Sequence, residues 1–224
     1  MERFTRLTAP ACPLDIVNLN TDQLLPARFL KLSRSAGLGK FLLHDLRRDA
    51  QGRERPEFPL NRPQWLAARI LVGRRNFGCG SSRESAVYAL LDRGIRCVIA
   101  PSFGDIFAEN AAQNGLLTAM VDEAAAADLI ARLNDAPSLP VTADLEKQSI
   151  LCGNYALPFT IDPARRTRLL KGWEDIDLTQ SYRDEVARFK AADRLKRPWA
   201  VPHAARASNA PSDATAPANP GREA

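Results

Sequence analysis

Short apolar runs and helix-length stretches take turns along this chain, and that alternation most narrows what it can fold into. Residues 69–73 (Arg-Ile-Leu-Val-Gly), 96–100 (Arg-Cys-Val-Ile-Ala) and 116–121 read as buried strands. Residues 11–17, 140–145 and 155–161 read as further strands, the last two around Gly153-Asn154. Helical patterns fall between them. One runs from near Ser82 through Ala86, Ala89 and Leu90 to about Arg93, closed by Gly94. Others cover 105–114 with Gly115 as C-cap, 122–133, 163–172 and 180–194. The alternation predicts an α/β fold. Residues 48–63 are polar, carry Pro56, Pro59 and Pro63, and read as a mobile loop.

Composition closes off several other classes. No stretch reaches the ~18 apolar residues of a membrane span, and Met1–Arg6 lacks the apolar centre of a secretory signal. The chain is long enough to bury a core without covalent staples. Residues 203–224 hold no large apolar side chain, so they cannot offset ordering entropy and are expected to be a disordered tail. Lys+Arg 31 against Asp+Glu 26 leaves +5, but the arginines are dispersed rather than gathered in the patch of a nucleic-acid binder. Of the four cysteines, Cys12, Cys79, Cys97 and Cys152, none sits in a CxxC pair. That argues against a metal or cluster site on this chain and for reduced, mostly buried thiols in a cytoplasmic protein. The only histidines are His44 and His203, so any base in a reaction here is expected to be another residue type.

The segment with most chemical content is Asn76-Phe77-Gly78-Cys79-Gly80-Ser81-Ser82-Arg83-Glu84-Ser85-Ala86, which leaves a strand and opens a helix. Glycines allow tight turns and close approach of a ligand. Ser81 or Ser82 can cap the helix, with Glu84 completing a capping box. A helix start with Arg83 beside it suits an anion. The residues alone leave two readings open: an anion-binding turn, or a capped helix after a glycine turn.

The same turn resembles the signature of the swivelling domain of the aconitase superfamily, and in detail that of isopropylmalate dehydratase small subunits. Three further blocks share the resemblance: Asn20–Leu30 with Asn-Thr-Asp-Gln-Leu-Leu-Pro, Val98–Phe107 followed by Asn114-Gly115-Leu116-Leu117, and Phe159–Asp162 with Arg165-Arg166 and Leu170-Lys171-Gly172. Together they span about residues 4–190. The resemblance implies a three-layer β/β/α swivelling domain over residues 1–202, C-terminal helices included, ahead of the 203–224 tail. It implies a hydro-lyase that interconverts 2- and 3-isopropylmalate through isopropylmaleate in leucine biosynthesis. It also implies a large-subunit partner that carries a [4Fe–4S] cluster, with no cofactor or metal on this chain.

By the same resemblance Ser81 is the catalytic base, and Ser82 and Arg83 bind a substrate carboxylate. Asp22 and Arg34, twelve positions apart, match a family pair that enters the site. Arg34 would clamp a carboxylate and Asp22 would orient groups around it. On the residues alone, Asp22 is a turn cap and Arg34 a solvated cation. The loop 32–39 would read the substrate's distal group, with Leu32 and Leu38 as apolar contacts. Cys79 is expected to be a small, buried thiol. One position departs from the pattern: Ser85 stands where most members carry histidine. A paralogous hydro-lyase acting on homoaconitate, citraconate or a methylated malate is the alternative within the class, and an RNA-binding relative the alternative outside it.

Overall fold

The first strand holds two different sheets together. The structure, a computed structural model, describes residues 1–81 and 83–200. Strand β1 (Arg6–Leu14) pairs along Arg6–Pro10 antiparallel with β5 (Pro140–Asp144) and along Ala11–Leu14 parallel with β2 (Ile70–Gly73). Pro10 lies at the changeover. Lacking an N–H, proline suits a place where the ladder changes partner, and its carbonyl accepts the Arg69 N–H at 3.1 Å. The strand expected over 11–17 therefore starts earlier, at Arg6, and stops at Leu14, where the Ile16 N–H turns back to the Leu14 carbonyl.

With β3 (Cys97–Ala100), β4 (Leu117–Met120), β6 (Ser149–Cys152) and β7 (Tyr155–Pro158), the strands run in the order β4-β3-β2-β1-β5-β6-β7. The β4-to-β1 half is parallel, and the half from β1 to β7 is antiparallel. In chain order the helices among the described residues are α1 (Thr21–Leu24), α2 (His44–Arg47), α3 (Glu84–Asp92), α4 (Asp105–Gln113), α5 (Glu123–Asp135), α6 (Pro163–Lys171), α7 (Asp175–Ser181) and α8 (Arg183–Lys196). Met1–Gln180 form one unit; a second starts at Ser181 and contains α8. The helix expected over 180–194 is thus two helices, broken at Tyr182. The tail expected over 203–224 lies outside the described residues.

Strand periodicity divides the core in two. Leu14, Leu71, Val98 and Ala100 face one way and pack with Ala86, Val87 and Leu90 of α3 and with Phe107 and Ala111 of α4. Ile70, Val72, Ile99 and Leu117 face the other way, onto Leu129, Ile130 and Leu133 of α5 and Val141, Ala143, Ile150 and Leu157 of the antiparallel strands. The layers are helices, parallel strands and curled antiparallel strands, so the expected three-layer α/β class is what forms. Strand β6 was not expected from the sequence. It is short, and Leu151 on its outer face is exposed, so it lacks the sustained apolar run that marks β2 and β3. The 48–63 segment is irregular but tied down: Asn61 Nδ2 donates to the carbonyls of Arg47 and Arg55, and Arg48 pairs with Glu54. The loops after β1, β2 and β3 all emerge at the carboxyl ends of the parallel strands, the usual place for a ligand site in such sheets.

Candidate functional site

The turn between β2 and α3 is sewn to its two neighbouring loops by main-chain bonds. Gly78 N–H donates to the Leu19 carbonyl at 2.7 Å, and Thr21 N–H to the Cys79 carbonyl at 2.9 Å. On the other side, Phe77 N–H donates to the Ser102 carbonyl and Gly104 N–H to the Phe77 carbonyl. Asn76 N–H adds a bond to Ser102 Oγ at 2.8 Å. Glycine is required here for space as well as for backbone angle. Gly78 has φ +73°, and a Cβ on it would stand 2.2 Å from the Phe107 ring. A Cβ on Gly104 would meet the Gly78 carbonyl oxygen at 2.7 Å. Phe77, Phe103 and Phe107 pack as a ring cluster beneath the turn.

Three of the expected site residues come together on this frame. Arg83 Nε donates to Ser81 Oγ at 3.1 Å, and Arg83 Nη2 lies 3.3 Å from Asp22 Oδ1. Asp22 sits in the first turn of α1, which Asn20 and Gln23 cap reciprocally at 2.8 and 2.9 Å. The capping box anticipated at the serines is therefore found one loop away. Helix α3 starts at Glu84 with extended Arg83 as its N-cap, while Ser81 Oγ accepts from Arg83. Gly80, at φ +97°, turns the chain so that the serine precedes the helix instead of capping it. Ser82 lies outside the described residues.

Arg34 is placed elsewhere, along the flank of α3. Its guanidinium lies over the Tyr88 ring at 4.1 Å, and its Nε is 3.9 Å from Asp92 Oδ1. It lines a cavity of about 560 Å³ with Glu84, Asn114 and Arg168. Glu84 Oε1 accepts from Asn114 Nδ2 at 2.9 Å, which joins α3 to the end of α4. On the same loop, Leu32 is 40% exposed whereas Leu38 is 3% exposed and sits in the core. Ser85, on the first turn of α3, is half-buried. His44 is far from the serines in its bonding: its Nδ1 faces Arg28 and Asp45. Tyr88 and Asp92 were not singled out in the sequence. An aromatic residue at helical spacing looks like core, and only the contact with Arg34 separates it from core.

The thiols do not suit an iron–sulfur cluster. Cys12, Cys97 and Cys152 are buried, and burial pushes each thiol up, Cys12 to about 12, away from the thiolate a metal binds. Cys79, half-buried, turns its Sγ to the Asn18 carbonyl. Among the described residues no three His, Cys, Asp or Glu side chains gather as a metal site.

Residues 1–124, which hold this whole turn, match the Aconitase C-terminal domain family. A 3-isopropylmalate dehydratase small subunit from Rhodospirillum centenum is 46% identical over 202 residues, 90% of this chain and 100% of that protein. The chain belongs to the family of 3-isopropylmalate dehydratase small subunits. A second member, from Paramagnetospirillum magneticum, is 43% identical over 89% of this chain and all of its own length. The fold is shared with the crystal structure of a 3-isopropylmalate dehydratase from Methanocaldococcus jannaschii. The TM-score is 0.58 at 23% identity, over 83% of this chain and 99% of that one.

Proposed function

We propose that this chain is the small subunit of a 3-isopropylmalate dehydratase, interconverting 2- and 3-isopropylmalate through isopropylmaleate in leucine biosynthesis. The observation that carries the reading is the 43–46% identity to small subunits along their whole length. On this reading the enzyme works in the cytoplasm and only with its large subunit. The [4Fe–4S] cluster, a Lewis acid toward the departing hydroxyl, belongs to that subunit.

The proton to be removed lies on a carbon next to a carboxylate, so it is weakly acidic and needs a strong base. Ser81 Oγ takes that role. A serine alkoxide is favoured only where positive charge and N–H donors face it, and Arg83 Nε, permanently charged, is 3.1 Å away. Asp22, beside Nη2 of the same guanidinium, fixes its direction. Arg83 and Ser82 bind one substrate carboxylate and Arg34 clamps the other, which matches a doubly charged acid to planar donor forks. Leu32 offers the apolar contact for the isopropyl group, and Leu38 supports that loop from within the core.

The test is co-expression with the large subunit from the same source, anaerobic cluster reconstitution and absorbance of isopropylmaleate formed from 3-isopropylmalate. Turnover that needs both chains is expected. An assembled, cluster-loaded complex with no turnover would overturn the reading.

A further inference from the structure

The bonds within the loop that carries Arg34 are local: the Ala36 N–H donates to the Ser33 carbonyl at 2.9 Å and the Ser35 N–H to Ser33 Oγ at 3.3 Å. Residues 31–36 are all exposed, and Gly37 stands in open space at φ +72°. What fixes the loop is the far flank of α3. Leu38 N–H donates to Asp92 Oδ2 at 2.9 Å, while Asp92 Oδ1 faces Arg34 Nε at 3.9 Å. One carboxylate thus faces both the Arg34 side chain and the Leu38 backbone. The backbone of Gly39 lies so close to α3 that a Cβ there would stand 2.5 Å from Arg93 N.

Tyr88 supplies the third hold, its ring under the Arg34 guanidinium. A cation held against a ring face makes no hydrogen bond to it, so the terminal N–H groups of Arg34 keep their donors for a carboxylate. The Arg34 side chain is 53% exposed. Glu84, one turn before Tyr88 on α3, accepts from Asn114. A long arginine ordered only when substrate arrives would lose much rotamer freedom at that moment; one already stacked loses less.

We propose that Tyr88 and Asp92 are positioning residues, which hold the Arg34 clamp and its loop on the helix that also begins at the Ser81–Arg83 turn. One rigid element then sets the distance between base and clamp. The inference rests on the reading of Arg34 as a substrate clamp.

In the two-subunit enzyme, Tyr88→Leu is expected to raise KM for 3-isopropylmalate about two- to fivefold, the size of an exposed cation–π contact, with kcat changed less. Tyr88→Phe keeps the ring face and should restore KM. In an Arg34→Gln background, Tyr88→Leu should have no further effect on kcat/KM. An unchanged KM in Tyr88→Leu, or the same loss with and without Arg34, would overturn the proposal. The full-length chain alone provides a readout independent of turnover. Trypsin should cut after Lys31 and Arg34 faster in Tyr88→Leu and Asp92→Asn than in wild type, with Tyr88→Phe close to wild type. Equal cutting rates in all four proteins would overturn the anchoring. If the wild-type complex does not act on 3-isopropylmalate, the functional reading fails and the trypsin rates decide the anchoring.

Discussion

Arg83 divides one guanidinium between Ser81 Oγ and Asp22, so the proposed base and the charge proposed to activate it are a single unit. Ser81→Ala in the two-subunit enzyme should leave assembly intact and lower turnover by about 10²–10⁴-fold, as the loss of a general base does. Near-wild-type turnover would return Ser81 to a structural role. Gly78 is the most constrained position of the turn. Gly78→Ala should lower stability by about 2–4 kcal/mol, combining left-handed backbone cost with overpacking against Phe107. A melting temperature within a degree of wild type would contradict that. Ser81, Arg83 and Asp22 were candidates by family resemblance, since the residues of the turn alone suit a capped helix as well as an anion site. Tyr88 and Asp92 were not candidates, because the role proposed for them rests on contacts with a loop more than fifty residues earlier.

At the scale of elements, strands β2, β3 and β4 and helices α4 and α6 were readable within a residue or two, because apolar runs and cap residues agree there. Asp162 illustrates the agreement: it caps α6, its Oδ1 accepting from the N–H groups of Ala164 and Arg165. Asp162→Ala should cost about 1 kcal/mol in a denaturant melt; no loss would mean solvent satisfies those donors equally well. β1 was misjudged because two prolines disguise a strand that changes partner, and β6 because it is short and half polar. The turn Ala27–Phe29 is tied to α2 by Arg28, whose Nη1 lies 2.8 Å from Asp45 Oδ2. Chiefly that bond, then His44, holds the Asp45 carboxyl down at about 2, against an ordinary 3.8. Its contribution is therefore complete above pH 3.8 and is lost as pH falls through about 2. Both partners are half exposed, so the effect is small. The melting-temperature gap between wild type and Asp45→Asn should narrow from pH 5 toward pH 2. A gap that does not vary over that range would rule the contact out as a source of stability.

On the scale of the molecule, the α/β class followed from the order of elements. The joining of parallel and antiparallel strands through β1 did not, because pairing across the length of the chain leaves no local mark. The composition of residues 203–224 predicts that a chain ending at residue 202 melts at the same temperature as the full chain; a fall of several degrees would show that the tail adds packing. The shared strand also has a consequence for how the protein is made. Arg6 leaves the ribosome long before its partner Asp144 is synthesised. Until then one edge of β1 stays unpaired, a template for other nascent chains. Slow translation through the middle of the message would prolong that interval, so yield of soluble protein should be sensitive to synthesis rate and to chaperones that shield strand edges.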